Sequence, residues 1–272
     1  MVDFEKEFLV SPKLNNLKES ELIRLKELCE LRILELLDWQ NTPEFTNLCS
    51  KYVDMSILLP FQLKTDEDVY EILKLVIFGY LANRSQSVKD FLNQHDLNNL
   101  DLDITEWNSY LFRQIFKAFT RLVLFESKND ILSSINLINQ LRVEQKQFEL
   151  SYLKKLEEEY KPSKALEIVS FYYFAKTVEL LAQYLLENKI QNQNDIKNKI
   201  SKYINKSKES AGFSGNKMIE LTYVYIKIFS FEFFKRNENH QRLIEIWGVY
   251  NDSICYNNRI FILYSQKNWK NR

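Results

Sequence analysis

Only 4 Gly and 4 Pro stand in 272 residues. Glycine supplies the positive-φ positions of tight turns and proline pre-sets their first corner, so a chain this poor in both has few places to reverse sharply. A many-stranded sandwich or barrel needs a turn about every 8–12 residues, and the phosphate loops of nucleotide-binding folds need clustered glycines. Both are disfavoured, and long helices with few connections remain. The chain is 45% hydrophobic with 19 Phe, 15 Tyr and 4 Trp, enough material for a sizeable core and against intrinsic disorder.

Helix start signals divide the chain. Ser20 and Glu21 precede Leu22, Leu25, Leu28, Leu31 and Leu34 and predict a helix over about 19–38. Thr42-Pro43-Glu44 places a capping hydroxyl before a first-turn proline and opens a helix to about Met55, with Pro60 closing the region. Thr65 caps the next, to about Asn83, with Asp66, Glu67 and Asp68 at the positive end of the helix dipole. Further helices are expected at 86–95, at 106–126 behind Thr105, and at 130–160, where the apolar spacing breaks at Gln145. Pro162 and Ser163 cap 164–188, which is apolar nearly all round and so belongs at the centre. A Lys-rich helix follows over about 194–210, ended by Gly212 and Gly215.

The segment from Lys217 to Arg236 is β-branched and aromatic enough for a strand. Its length of about 20 residues suits a buried helix instead. A short helix at 239–247 ends at Gly248, and beyond it Asn251, Asn257 and Asn258 punctuate short apolar pieces, Arg259–Tyr264 among them, that look extended. The expected fold is all-α: an irregular multi-helix bundle of eight or nine helices over 1–248, with 164–188 and 217–236 at its centre and a β-like tail over 249–272. No fixed repeat supports a solenoid.

With 37 basic against 37 acidic side chains, net charge gives no reason to propose an obligate nucleic-acid or membrane-surface protein, although a local patch can exist on a neutral molecule. The stretch 165–186 comes nearest to a membrane span, and Glu167, Lys176 and Glu179 interrupt it. Cys29, Cys49 and Cys255 show no metal-site or disulfide spacing. Reduced thiols and an N-terminus without signal-peptide order lead to an expected cytoplasmic location, with no metal, no cofactor and no membrane.

Catalytic motifs are scarce. No nucleophile elbow, phosphate loop or His-Glu-x-x-His is present, and His95 and His240 are the only histidines. Asp66-Glu67-Asp68-Val69 departs from a helicase acidic box at its fourth residue and is a helix start. The loop Asp96–Asp103 departs from a calcium loop at Leu100. Arg236-Asn-Glu-Asn-His240 resembles the Arg-then-His motif of HEPN ribonucleases, in which four to six residues separate the pair; here three do. That resemblance implies Arg236 and His240 as alternative catalytic residues acting on a ribose hydroxyl.

The most evident binding feature is basic. Lys197, Lys199, Lys202 and Lys206 are candidate nucleic-acid contacts, and Lys199, Lys202 and Lys206 share a face opposite Ile196, Ile200 and Ile204. A solvated helix shows the same pattern, and no arginine or aromatic platform is evident beside it in the sequence.

Two segments are familiar together: Leu137–Leu153, which contains Arg142, Gln145 and Glu149, and Ala165–Lys176 followed by Leu180–Leu185. They resemble the helical N-terminal region that precedes the motor in some bacterial superfamily-two DEAD/DEAH helicases, over about 105–190. The resemblance implies a non-catalytic helical module that is DNA-associated or partner-binding, with DNA, a helicase motor subunit or another protein as partner. Because the motor motifs are missing, a truncated or split helicase is one expectation. A HEPN-like ribonuclease and a free-standing helical protein-interaction scaffold are the alternatives.

Overall fold

Reciprocal capping starts the third helix where the sequence places it. The Thr65 hydroxyl accepts from the Asp68 amide at 3.2 Å, and the Asp68 carboxylate accepts from the Thr65 amide at 2.7 Å. Two donors that a helix start leaves without partners are thereby satisfied. Thr42 does the same for the second helix, its hydroxyl accepting from Phe45 N–H at 3.3 Å ahead of Pro43. The first helix begins at Glu19 as expected, but its cap is one residue earlier than the Ser20 signal: Ser20 lies inside the first turn, and Glu21 accepts from the amide of Lys18, the N-cap, at 2.8 Å.

The computed structural model describes residues 14–36, 42–61, 65–95, 107–124, 129, 131–140, 162–187, 190–216 and 219–237. Among these the structure is all-helical, with no strand. A 3-10 turn at Leu14–Asn16 precedes α1 (Glu19–Glu35), α2 (Pro43–Leu58), α3 (Asp66–Leu81), α4 (Ser85–Asn93), α5 (Trp107–Val123) and α6 (131–140). Then come α7 (Pro162–Leu186), α8 (Ile190–Ser214) and α9 (219–237). Pro162 opens α7 as its first residue, where the missing N–H costs nothing. The expected helix at 239–247, Gly248 and the tail 249–272 lie outside the described residues, as do Thr105 and the loop Asp96–Asp103.

The chain divides into two compact units, Met1–Phe229 and Ser230–Arg272. The boundary falls inside α9.

In the first unit, α1 packs on α2, α2 on α3, α3 on α4 and α5, α5 on α7, and α7 on α8. The close approach of α3 to α4 depends on Gly79, where a Cβ would come within 2.5 Å of Val88 Cγ2. Asn83 takes the left-handed conformation at φ 57° in the turn between them. Helix α5 is buried more completely than its one-faced pattern suggests, and the 219–229 part of α9 is buried as its apolar, aromatic sequence predicts. In α5, Leu111, Phe112, Ile115, Phe116 and Phe119 are all buried, and Arg113 reaches Asp66 of α3 at 2.9 Å. Within 219–229 of α9, Leu221 and Lys227 are exposed while seven residues are buried. Tyr225 meets Phe78 edge-on at 5.3 Å, Phe229 meets Phe119 at 5.2 Å, and Tyr223 hydrogen-bonds Ser170 of α7 at 2.6 Å. The two edge-to-face ring contacts join the 219–229 part of α9 to α3 and α5, the Tyr223 hydrogen bond joins it to α7, and the strand alternative is set aside by the helix itself.

The helix expected to be central on all sides, α7, is buried on one side and open on the other. Ile168, Phe171, Phe174, Val178 and Leu181 face the core, whereas Val169 and Tyr172 are about 40% exposed at 40% and 39%. Its apolar character thus leaves aromatic surface at the solvent edge.

Candidate functional site

The α7–α8 hairpin carries the basic residues. Its turn is short, which makes the two helices antiparallel neighbours, and it is closed by side chains: Gln193 donates to the Glu187 carbonyl at 2.7 Å and Asn192 to the Glu187 carboxylate at 3.0 Å. Ile200 and Ile204 are buried and Ile196 is half-buried, so α8 turns its isoleucines inward as their spacing predicts.

At about 100° per residue, Lys199, Lys202 and Lys206 fall within roughly 60° of one another around α8. Lys199 and Lys202 are exposed and have no acidic partner among the described residues. Lys197 does not join them: the same geometry puts it on the far flank of the helix, roughly 140–160° from the nearest of the three, and it is half-buried.

The aromatic platform that the linear sequence does not reveal is supplied by the neighbouring helix. Tyr173 of α7 stacks on Tyr203 of α8, with ring centroids 5.8 Å apart and planes 28° from parallel. Lys206 Nζ lies 5.2 Å from the Tyr173 centroid, within cation–π range. Tyr172 touches Tyr173 edge-on at 5.6 Å. Phe213, on the same outer side of α8 as Lys206, is 71% exposed. Asp195 and Glu209 lie near this face, so it is mixed in sign with three lysines predominating.

The alternative catalytic pair is not brought together by anything described. Arg236 Nε is held by Glu232, one turn earlier on α9, at 2.9 Å, and His240 lies outside the described residues. Asp66 and Asp68 are occupied by Arg113, Ser109 and the Thr65 cap, as a helix start requires. Among the described residues no group of His, Cys, Asp and Glu is arranged to hold a metal ion, and no helix is long and apolar enough to cross a membrane. Cys29 and Cys49 are buried, and burial pushes the Cys29 thiol up to about 12 and that of Cys49 further; Cys255 lies outside the described residues.

Two polar constellations escape sequence reasoning. The first is a cleft of about 660 Å³ whose walls include Asp54, Phe61, Arg84, Asp90, Phe91 and His95. The His95 Nδ1 is 2.9 Å from the Phe91 carbonyl. A carbonyl only accepts, so Nδ1 carries the proton in this contact. The Arg84 guanidinium is engaged by Asp54 at 2.7 Å, Ser50 at 3.3 Å and Ser87 at 3.2 Å, which leaves it poorly placed to clamp an anion. Members from three separate segments meet here, and no linear spacing announces them.

The second is an ion network between α1 and α3. Lys74 Nζ contacts Glu71 at 2.5 Å and Glu30 at 2.8 Å, and Lys26 contacts Glu71 at 2.7 Å. Two core phenols complete it: Tyr52 donates to Glu71 at 3.0 Å and Tyr225 to Glu30 at 2.6 Å. Burial alone would raise the Glu71 carboxyl, but the Lys74 and Lys26 ammonium groups outweigh it and hold Glu71 below the usual carboxylate range. Burial likewise works against the Lys74 charge, and Glu71 and Glu30 outweigh it, raising Lys74 above the usual lysine range. Burial, then the adjoining carboxylates, push the Tyr52 and Tyr225 phenols well up, so both remain donors. Every charge in the network has an opposite neighbour, and the arrangement fastens helices rather than holding a group in reserve for chemistry.

Comparison with family models, with curated proteins and with solved structures gives no significant match for this chain.

Proposed function

We propose that this chain is a non-catalytic helical module that binds nucleic acid along α8 through Lys199, Lys202 and Lys206. The observation that carries the proposal is the placement of Lys206 over the stacked Tyr173–Tyr203 pair, beside two exposed lysines without acidic partners among the described residues. Phosphate neutralisation by such lysines releases counterions and supplies sequence-independent affinity. In the accessory role that the helicase resemblance implies, the module holds DNA while a separate motor subunit supplies ATP hydrolysis.

The test is fluorescence anisotropy with labelled DNA across a salt series. Lys199→Glu with Lys202→Glu should weaken binding at least tenfold and flatten the slope of log affinity against log salt by about 1.5. Lys197→Glu, on the opposite flank, should leave most of the affinity. Unchanged affinity in the double variant, with its helical circular dichroism intact, removes the face from consideration.

A further inference from the structure

We infer that the α7–α8 face selects single-stranded over duplex nucleic acid, because the rings of Tyr172, Tyr173 and Tyr203 form a continuous aromatic ladder beside Lys199, Lys202 and Lys206. The inference rests on the nucleic-acid function proposed above and specifies its ligand. Tyr172 meets Tyr173 at 5.6 Å and Tyr173 meets Tyr203 at 5.8 Å, so the ladder crosses from one helix to the other. Its outer member, Tyr172, is 39% exposed, and Phe213 adds a ring that is 71% exposed farther along α8.

A solvent-facing ring costs free energy unless something covers its face. Unpaired bases present open π-faces to such rings, and their stacking is tolerant of sequence. In a duplex those faces are already covered by neighbouring base pairs, so only phosphates and groove edges remain to be touched. From Lys199 to Phe213 the face is about 21 Å long at 1.5 Å per residue, room for a short run of nucleotides with phosphates on the lysines and bases on the rings. The Tyr173–Tyr203 pair is closed against itself, so bases cover the outer rings rather than entering between these two.

The experiment compares a fluorescein-labelled oligothymidine of about 20 nucleotides with a blunt duplex of the same length, using the full chain at low salt. The single strand should bind at least tenfold more tightly. Tyr172→Leu should lower single-strand affinity about five- to tenfold and leave duplex affinity within about twofold; this exposed position keeps the test independent of the core. Tyr203→Leu should act in the same direction, with thermal unfolding measured in parallel. Equal or tighter duplex binding, which would put the exposed Asn198 and Asn205 of α8 in a groove, overturns the single-strand inference and leaves nucleic-acid binding standing. The same holds for a Tyr172→Leu variant with undiminished single-strand affinity. If neither probe binds, both the inference and the function beneath it fall.

Discussion

Replacing Lys74 by Met removes one ammonium group from between two carboxylates and keeps most of the aliphatic stem. Lys74 and Glu30 are only 15% and 19% exposed, and Glu71 is 37% exposed. Opposite charges about 3–4 Å apart attract by about 4–6 kcal/mol at an effective dielectric of 20, and most of that is offset by desolvation while the network is intact. Removing the central cation leaves Glu30, among the described residues, with the Tyr225 phenol and Glu71 with Lys26 and the Tyr52 phenol. Breaking a buried pair typically costs about 3–5 kcal/mol; the partial exposure of Glu71 reduces the expectation to about 2–4 kcal/mol. For a unit of this size the melting temperature should fall by about 5–15 °C.

The assay is thermal and urea unfolding of wild type, Lys74→Met, and Lys74→Met with Glu30→Gln. Glu30→Gln removes the stranded carboxylate, so the double variant should recover part of the loss. The pH dependence has a definite sign. The depressed Glu71 contributes stability that is present above its unfolded value of about 4.3 and is lost as pH falls through the lower folded value. The raised Lys74 contributes stability that is present below about 10.4 and is lost as pH rises through the higher folded value. In Lys74→Met the Glu71 carboxylate loses one of the two ammonium groups that depress it and takes up its proton at a higher pH than in wild type, so the deficit should shrink as pH falls from about 7 to about 4. A Lys74→Met variant within about 0.5 kcal/mol of wild type, or a double variant with no recovery, would refute the reasoning.

Two further outcomes follow from the packing and the caps. Gly79→Ala should destabilise the first unit by about 1–3 kcal/mol in urea unfolding despite the better helix propensity of Ala, because its Cβ would stand 2.5 Å from Val88 Cγ2; Val88→Ala should relieve that clash in the double variant. Thr65→Ala should cost about 1 kcal/mol by removing the hydroxyl that caps Asp68 N–H, and Thr65→Ser should restore most of it.

The helices were readable where their signals are local. Thr42 and Thr65 cap through side chains a few residues from the groups they satisfy, so sequence spacing alone places those starts. The lysine face was readable for the same reason: Lys199, Lys202 and Lys206 share one helix, and helical period sorts them from the isoleucines. Lys197 shows that membership of a lysine-rich run does not confer membership of its face. The aromatic half of the site was not readable, since Tyr173 and Tyr203 are thirty positions apart and only the α7–α8 pairing stacks them. The His95 cleft was hidden in the same way, its members being drawn from the 3-10 turn at Leu14–Asn16, from α2 and α4, and from the residues that flank those two helices.

Scarcity of glycine and proline, abundance of aromatic residues and three-and-four spacing therefore determined the helical class, because these act through backbone conformation and short-range burial. What tertiary structure alone decided was the company each helix keeps. It buried α5 beyond its one apolar face, left one side of α7 open, threaded Lys74 between Glu30 and Glu71, and set Lys206 over Tyr173. Those outcomes depend on which apolar faces meet across long stretches of chain, and packing shape and charge pairing between distant segments choose among the many arrangements that the same helix pattern allows.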